Sequence, residues 1–423
     1  MNLLISILFV LSAAVPIFSA ETQSDCQSCH SKTSPGIVSQ WKGSKHGAAG
    51  IDCLACHQAA KTDPDAFEHN GHLIATIVSP KDCAQCHEQQ EKEFSASHHA
   101  NAAGFVGSLD NFLGVAVEGA PAAILGCQQC HGSTIGVLKD GRLDPTTWPN
   151  TGIGRINPDG SKGSCTACHS RHAFSREQAR QPENCGKCHM GPDHPQIEIY
   201  KESKHGILFE ANRGHLNMDK DEWVAGKDYN TAPTCASCHM GATPQRPSTH
   251  DVGARISWTL RPVVSKKLEN WEKRRDGMKN VCVQCHSPKY VDSFYQQFDA
   301  VIDLYNNKFA LPAKSIMDDL YKENLLTRTP FDETLEWTYY ELWHHEGRRA
   351  RHGASMMGPD YTQWHGFYEV AKHFYTKFLP EAEEIKKGVT IGIQSSEYHK
   401  WRKGLSKEEM QKLFDFYKQR YDQ

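Results

Sequence analysis

No cysteine in this 423-residue chain stands alone: all sixteen fall in eight Cys-x-x-Cys-His motifs. A disulfide framework, the usual reason for so many thiols, suits short secreted domains and not a chain of this length. Zinc is a poor fit as well, because it closes a tetrahedron from two separated pairs and has no use for a histidine directly after each second cysteine. Charge of one sign is also lacking. The net charge is −3, which gives no basic footprint for nucleic acid or an anionic membrane. Apolar content is low, at 39%, too little for side chains alone to build the core of so large a chain. Beyond the first twenty residues no apolar run reaches membrane-spanning length.

What remains is the motif itself. Two thiols and an adjacent histidine form the attachment site of a c-type haem, the thiols bonding the porphyrin and the histidine becoming the proximal iron ligand. The thiols are Cys26, Cys29, Cys53, Cys56, Cys83, Cys86, Cys127, Cys130, Cys165, Cys168, Cys185, Cys188, Cys235, Cys238, Cys282 and Cys285. The proximal histidines are His30, His57, His87, His131, His169, His189, His239 and His286. Eight covalent haems supply the apolar interior that the composition withholds.

Residues 1–20 form an apolar run ending in Ser19 and Ala20, the pattern of a secretory signal cleaved after Ala20. The run lacks Lys and Arg near its start, so an uncleaved anchor is the alternative. Export, to the periplasm or an equivalent compartment, suits haem attachment, and the cleaved protein is expected to be soluble.

The expected fold is mainly α. Residues 21–289 form a multihaem cytochrome c region of short helices and loops, with each motif near a helix start and no solenoid repeat. Residues 290–423 form a C-terminal bundle of long helices. Trp364, Phe367, Tyr368, Ala371, Phe374, Tyr375 and Phe378 make one helical stripe that stops before Pro380. Ser406 and Glu409 spell a capping box for a last helix with an apolar face of Met410, Leu413, Phe414 and Tyr417.

Iron accounting frames the function. Of 24 histidines, 24 − 8 = 16 are not proximal, enough to give every haem a second axial ligand. An electron-transfer haem has that ligand, whereas a catalytic haem keeps the position open. The distal candidates are His46 and His205, each in Ser-Lys-His-Gly, together with His72, His98 or His99, His172, His250, and one of His345, His352 or His365.

The chain resembles the octahaem hydroxylamine oxidoreductases. The likeness is carried by the eight motifs and by Trp148-Pro-Asn-Thr-Gly-Ile-Gly, Cys188-His-Met-Gly-Pro-Asp-His-Pro-Gln, His250-Asp-Val-Gly-Ala-Arg-Ile-Ser-Trp and Met356-Met-Gly-Pro-Asp-Tyr-Thr-Gln-Trp-His-Gly. It implies that the fourth haem, on Cys127, Cys130 and His131, is catalytic and open. In oxidising members a tyrosine from a neighbouring subunit is bonded to that porphyrin, giving the modified haem P460. The matching residue here is Tyr361, or else Tyr361 merely caps its helix. The family also implies a homotrimer.

Oxidising hydroxylamine to nitrite with water as oxygen donor releases more protons than electrons, so a base is needed beside the iron. Asp193-His194 offers a carboxylate to orient an imidazole, with a further distal ligand as the alternative role for His194. Tyr290 is a second pocket candidate. The expected activity is oxidation of hydroxylamine or hydrazine, with electrons leaving to a small cytochrome c or a quinone-linked cytochrome. The alternatives are reduction of nitrite or hydroxylamine to ammonium, and non-catalytic electron carriage. Pentahaem nitrite reductases typically use Cys-x-x-Cys-Lys, which is absent. The short stretch before the fourth motif leans towards the reductive branch.

Overall fold

The computed structural model describes residues 25–105 and 109–421, so the signal-like residues 1–20 lie outside the described residues. The chain is mainly helical. Its described strands form only two short hairpins, Phe67–His69 with His72–Ile74 and Trp258–Thr259 with Lys266–Lys267. The first turns on Asn70-Gly71, both with positive φ, the pairing that a two-residue hairpin turn demands.

From residue 25 to 287 most elements are short; the exceptions are Pro80–Ser95, which carries the third motif and kinks at His87, and Trp271–Cys282. Cys127–His131 and Cys235–His239 are single-turn helices, the latter started by a Thr234–Ser237 capping box. The eighth motif departs from the expected placement. Cys282 closes the helix Trp271–Cys282 instead of opening one.

Three long helical rods follow, over 288–322, 334–355 and 359–385, each interrupted by π-helical turns. Two of these turns, Asn306–Ala310 and Phe374–Phe378, immediately precede Leu311-Pro312 and Leu379-Pro380. Proline has no N–H and its ring crowds the carbonyl four residues back, and one residue of π widening relieves both problems. The helix therefore runs through Pro380 to Ile385 instead of ending before it. The π turn Gln363–Tyr368 also shifts the helical register, which breaks the expected stripe. Phe374 and Phe378 are fully buried, while Trp364 and Tyr368 face solvent.

Phe309, Leu320, Leu335, Val370, Phe374 and Phe378 fill the core between the rods. A second core joins the rods to the motif region: Trp258 packs with Val291, Tyr295, Phe298 and Ile302. There Arg275 donates to both oxygens of Asp299 at 2.7 Å. The last helix, Lys407–Tyr421, has its capping box, with Ser406 Oγ accepting from Glu409 N–H at 3.1 Å. Its predicted apolar face is exposed within the subunit. Among the described residues no helix is long and apolar enough to cross a membrane.

Candidate functional site

One cavity of about 3440 Å³ is lined by motifs two to eight, far above the roughly 300–1,000 Å³ of a single small-ligand pocket. The imidazoles in and around it are arranged in pairs. Two imidazoles on opposite sides of one metal, each nitrogen about 2 Å from it and about 1.1 Å from its own ring centre, have centroids about 6.2 Å apart. His30 and His69 stand 6.2 Å apart, His46 and His87 6.1 Å, His57 and His172 6.4 Å, and His205 and His286 6.1 Å, while His189 has two rings at 6.1 Å, His99 and His194. Several proximal rings also have Nδ1 on a main-chain carbonyl: His57 on Ala75 at 2.9 Å, His239 on Val252 at 3.2 Å and His131 on Ala102 at 3.4 Å. A carbonyl only accepts, so Nδ1 carries the proton and Nε2 is left for iron. The donor set fits c-type haems.

His46 and His205 owe their positions to local chemistry. In each Ser-Lys-His-Gly the serine caps a helix, Ser44 Oγ accepting from Gly47 N–H at 3.0 Å and Ser203 Oγ from Gly206 N–H at 3.1 Å. The histidine then sits in the first turn. His250 is the imidazole whose charge acts most on His169, and Glu93 accepts its main-chain N–H at 2.7 Å.

Ring positions bear on three of the distal expectations. His69, not His72, faces His30; the two are directly cross-strand in the hairpin, so either choice was one turn geometry away. Of the alternatives His98 and His99, it is His99 whose ring stands 6.1 Å from His189, as that of His194 also does, and it lies close to His239. His365 sits on an exposed helix face between Asp360, at 3.2 Å, and Glu369, at 3.7 Å. Of its two alternatives, it is His352 that lines the cavity, among Arg351, Arg348, His194 and His189.

His131 differs from the paired rings in its surroundings. The charged groups acting on it are His194, Asp110 and Asp193. His194 Nδ1 is 2.5 Å from Asp193 Oδ1, and since a carboxylate only accepts, the neutral ring keeps its lone pair on Nε2. Arg348 Nη1 donates to Asp193 Oδ2 at 2.9 Å. Burial pushes the Asp193 carboxyl up, but the His194 hydrogen bond and the charges of His194, His344 and Arg348 outweigh it and hold the group at about 2. A second carboxylate supports the site from behind: Asp110 Oδ1 accepts from Tyr340 Oη at 2.5 Å and lies 3.0 Å from His344 Nε2. Arg348, His344 and Asp110 went unread in the sequence. Their available signal was the i, i+4, i+8 spacing of His344, Arg348 and His352 along one rod.

The two candidate tyrosines take different positions. Tyr290 stacks on His286, with centroids 4.9 Å apart and planes 18° apart, and its hydroxyl points to Met357 Sδ at 4.0 Å. It lies against the eighth motif and lines the same cavity as Asp193 and His194. Tyr361 is half-buried beside His365, Glu198 and Glu202.

The cysteine sulfurs, which stand for the thioether sulfurs of attached haems, trace a branched line. Cys26 neighbours Cys53, Cys56 neighbours Cys83, Cys83 meets Cys165, and Cys168 neighbours Cys185. From the sixth motif one branch runs through Cys188 to Cys130 of the fourth. The other runs through Cys185 to Cys235 and on from Cys238 to Cys282. The fourth motif thus lies on a branch off this line.

Comparison with known proteins agrees with this geometry. The family model described as seven times multi-haem cytochrome CxxCH matches residues 159–330. A probable nitrite reductase-hydroxylamine oxidoreductase fusion protein from Kuenenia stuttgartiensis is 27% identical over 370 residues, 72% of this chain, and the chain spans 38% of that relative's length. A solved structure described as a hypothetical multiheme protein superposes with a TM-score of 0.74 at 26% identity, covering 87% of this chain and 95% of its own. A Kuenenia stuttgartiensis reducing HAO-like protein complex gives a TM-score of 0.63 at 21% identity, over 88% of this chain and 86% of its own. The chain is thus similar to multihaem CxxCH cytochromes and to part of a probable nitrite reductase-hydroxylamine oxidoreductase fusion protein, and it shares its fold with a reducing HAO-like protein.

Proposed function

We propose that this protein is an exported octahaem oxidoreductase that acts on small nitrogen compounds at its fourth motif, oxidising hydroxylamine or hydrazine. The observation that carries the reading is the Asp193–His194 pair fixed by Arg348 beside His131. When bound, the fourth haem supplies an iron able to take electrons from a small substrate. His194 Nε2 is the site for a substrate proton, Asp193 holds the tautomer that leaves it free, and Arg348 keeps Asp193 ionised and still. Seven haems with histidines on both sides carry electrons along the sulfur-marked line to a small or quinone-linked cytochrome. His46, His69, His99, His172, His205, His250 and His352 are the distal ligands in this reading. Exposed Trp364 and Tyr368 near Tyr361, and the uncovered apolar face of the last helix, suit a homotrimer in which Tyr361 reaches a neighbour's fourth haem.

The reductive reading, nitrite or hydroxylamine to ammonium, is the second. It is favoured by the curated relative, whose name carries both activities, and by the structural neighbour described as reducing.

Two measurements test these readings. The intact mass of the mature protein should exceed its polypeptide by eight haem groups; seven or fewer in properly matured material would contradict the octahaem assignment. Hydroxylamine oxidation with an artificial acceptor should exceed nitrite reduction with an artificial donor in the wild type. Tyr361→Phe should abolish both a modified-haem absorption band and the oxidation while leaving the other haems attached. An unchanged spectrum with both rates intact makes Tyr361 a packing residue and puts the reductive reading first.

A further inference from the structure

Tyr340, His344 and Asp110 form a closed triangle. Asp110 Oδ1 accepts from the Tyr340 hydroxyl at 2.5 Å and lies 3.0 Å from His344 Nε2, and the hydroxyl and that nitrogen are 3.1 Å apart. A carboxylate only accepts, so Nε2 carries a proton and donates it to Asp110. The rings of Tyr340 and His344 stack, with centroids 4.2 Å and planes 20° apart. Phe331 and Trp343 stand edge-on to Tyr340 at 5.2 and 5.6 Å. Tyr340 and His344 are both buried, so their hydrogen bonds are a polar path through an otherwise aromatic wall.

That wall separates two spaces. Asp110 and His344 line the large cavity together with Asp193 and His194, and His344 Nε2 is 4.0 Å from Asp193 Oδ2. The π turn Leu113–Val117, which follows the helix Leu109–Phe112, seats Gly114 so near the fourth motif that a Cβ there would stand 3.5 Å from Cys127 Sγ. Tyr340 instead lines a crevice of about 690 Å³ between the rods 288–322 and 334–355, with Met317, Tyr321 and Tyr339 in its walls. Its rim carries Asp318, Lys322 and Arg328, all exposed, so it opens to solvent. Leu109 and Trp343 belong to the walls of both spaces. The triangle therefore bridges the partition between them.

We infer that the Tyr340–Asp110–His344 triangle is a proton route between the fourth-motif site and the crevice. Oxidising hydroxylamine releases protons and reducing nitrite consumes them, so a base in the cavity must exchange protons with solution in either direction. Inward, Tyr340 gives its hydroxyl proton to Asp110 and takes another from water in the crevice, and Asp110 gives the proton up on the cavity side. Outward, the same hops run in reverse. One O–H bond forms for each that breaks, no electron moves, and His344 is the positioning residue that holds the carboxylate in register. The inference rests on the fourth-motif reading proposed above but not on the direction of the reaction.

The test is steady-state turnover of the purified holoprotein, hydroxylamine with an artificial acceptor and nitrite with an artificial donor, each in light and heavy water. Tyr340→Phe keeps the stacked ring and removes the relay oxygen. It should lower kcat on the order of 10- to 100-fold, at or below the low end for a lost acid–base group, while leaving KM unchanged and enlarging the solvent isotope effect. A sterically hindered pyridine buffer, which carries protons without ligating iron, should restore the rate. Where Tyr340→Phe does not mature, Asp110→Asn, which keeps the side-chain shape and removes the proton acceptor, should show the same pattern. Wild-type kcat and isotope effect, or a loss that no buffer restores, would overturn the inference and leave the triangle as packing. Asp193→Asn separates the two readings. If it stops turnover while Tyr340→Phe does not, the route alone falls; if it leaves turnover intact, the fourth-motif reading falls and takes the route with it.

Discussion

Asp193→Asn is expected to lower turnover of hydroxylamine on the order of 100-fold or more, the scale of a lost acid–base function. The volume is unchanged, but the amide no longer favours the His194 tautomer with its lone pair on Nε2, and the charge balancing Arg348 disappears. The effect should fall mainly on kcat, with the intact mass and the spectra of the paired haems unaltered. A variant with wild-type kcat would show that the pair near His131 has a structural role only. The aspartate also contributes to stability, and the sign follows from its depressed pKa. Its contribution is present above the ordinary carboxylate range near 4 and is lost as pH falls through about 2. Over the neutral range Asp193 is ionised and its pairing with Arg348 is constant.

Phe374→Ala should be the most damaging of the simple core truncations. Phe374 is fully buried, edge-on to Phe309 at 5.5 Å and stacked near Phe378 at 5.9 Å. Removing such a ring costs about 3–5 kcal/mol, aromatic pairing included. Thermal or denaturant unfolding followed by far-ultraviolet circular dichroism should show it as an early loss of helix, while the haem bands persist. Because the neighbouring rod carries His344 and Arg348 to Asp193, activity should be lost with the helical transition. A cost below about 1 kcal/mol would mean that the core collapses around the gap and that Phe374 does not hold the rods.

Much of this molecule could be read from short stretches of chain. Covalent attachment needs two thiols and a histidine within five residues, so the sixteen cysteines announce the cofactor with no knowledge of the fold. His46 and His205 were equally accessible, since a serine N-cap three residues before a glycine is a local hydrogen-bonding unit. Asp193 and His194 touch because they are adjacent. The capping box at Ser406 and Glu409 is local for the same reason.

What only the tertiary structure decided involves choices that are nearly equal locally. His69 and His72 are cross-strand neighbours, and His98 and His99 are consecutive; which of each pair meets a proximal ring depends on where His30 and His189 are carried by distant packing. The π turns were hidden because a 3.6-residue period assumes an unbroken register, which Pro312 and Pro380 disturb without ending their helices. Arg348 reaches Asp193 across 155 residues of chain and Cys83 reaches Cys165 across 82. The sequence by itself determined the cofactor chemistry, the helical class and the Asp193–His194 contact, since these rest on residues within a turn of one another. The tertiary structure decided which histidine rings pair and how the line of sulfurs branches, because separation in space, which sets both ligation and electrostatics, is not a property of any short segment.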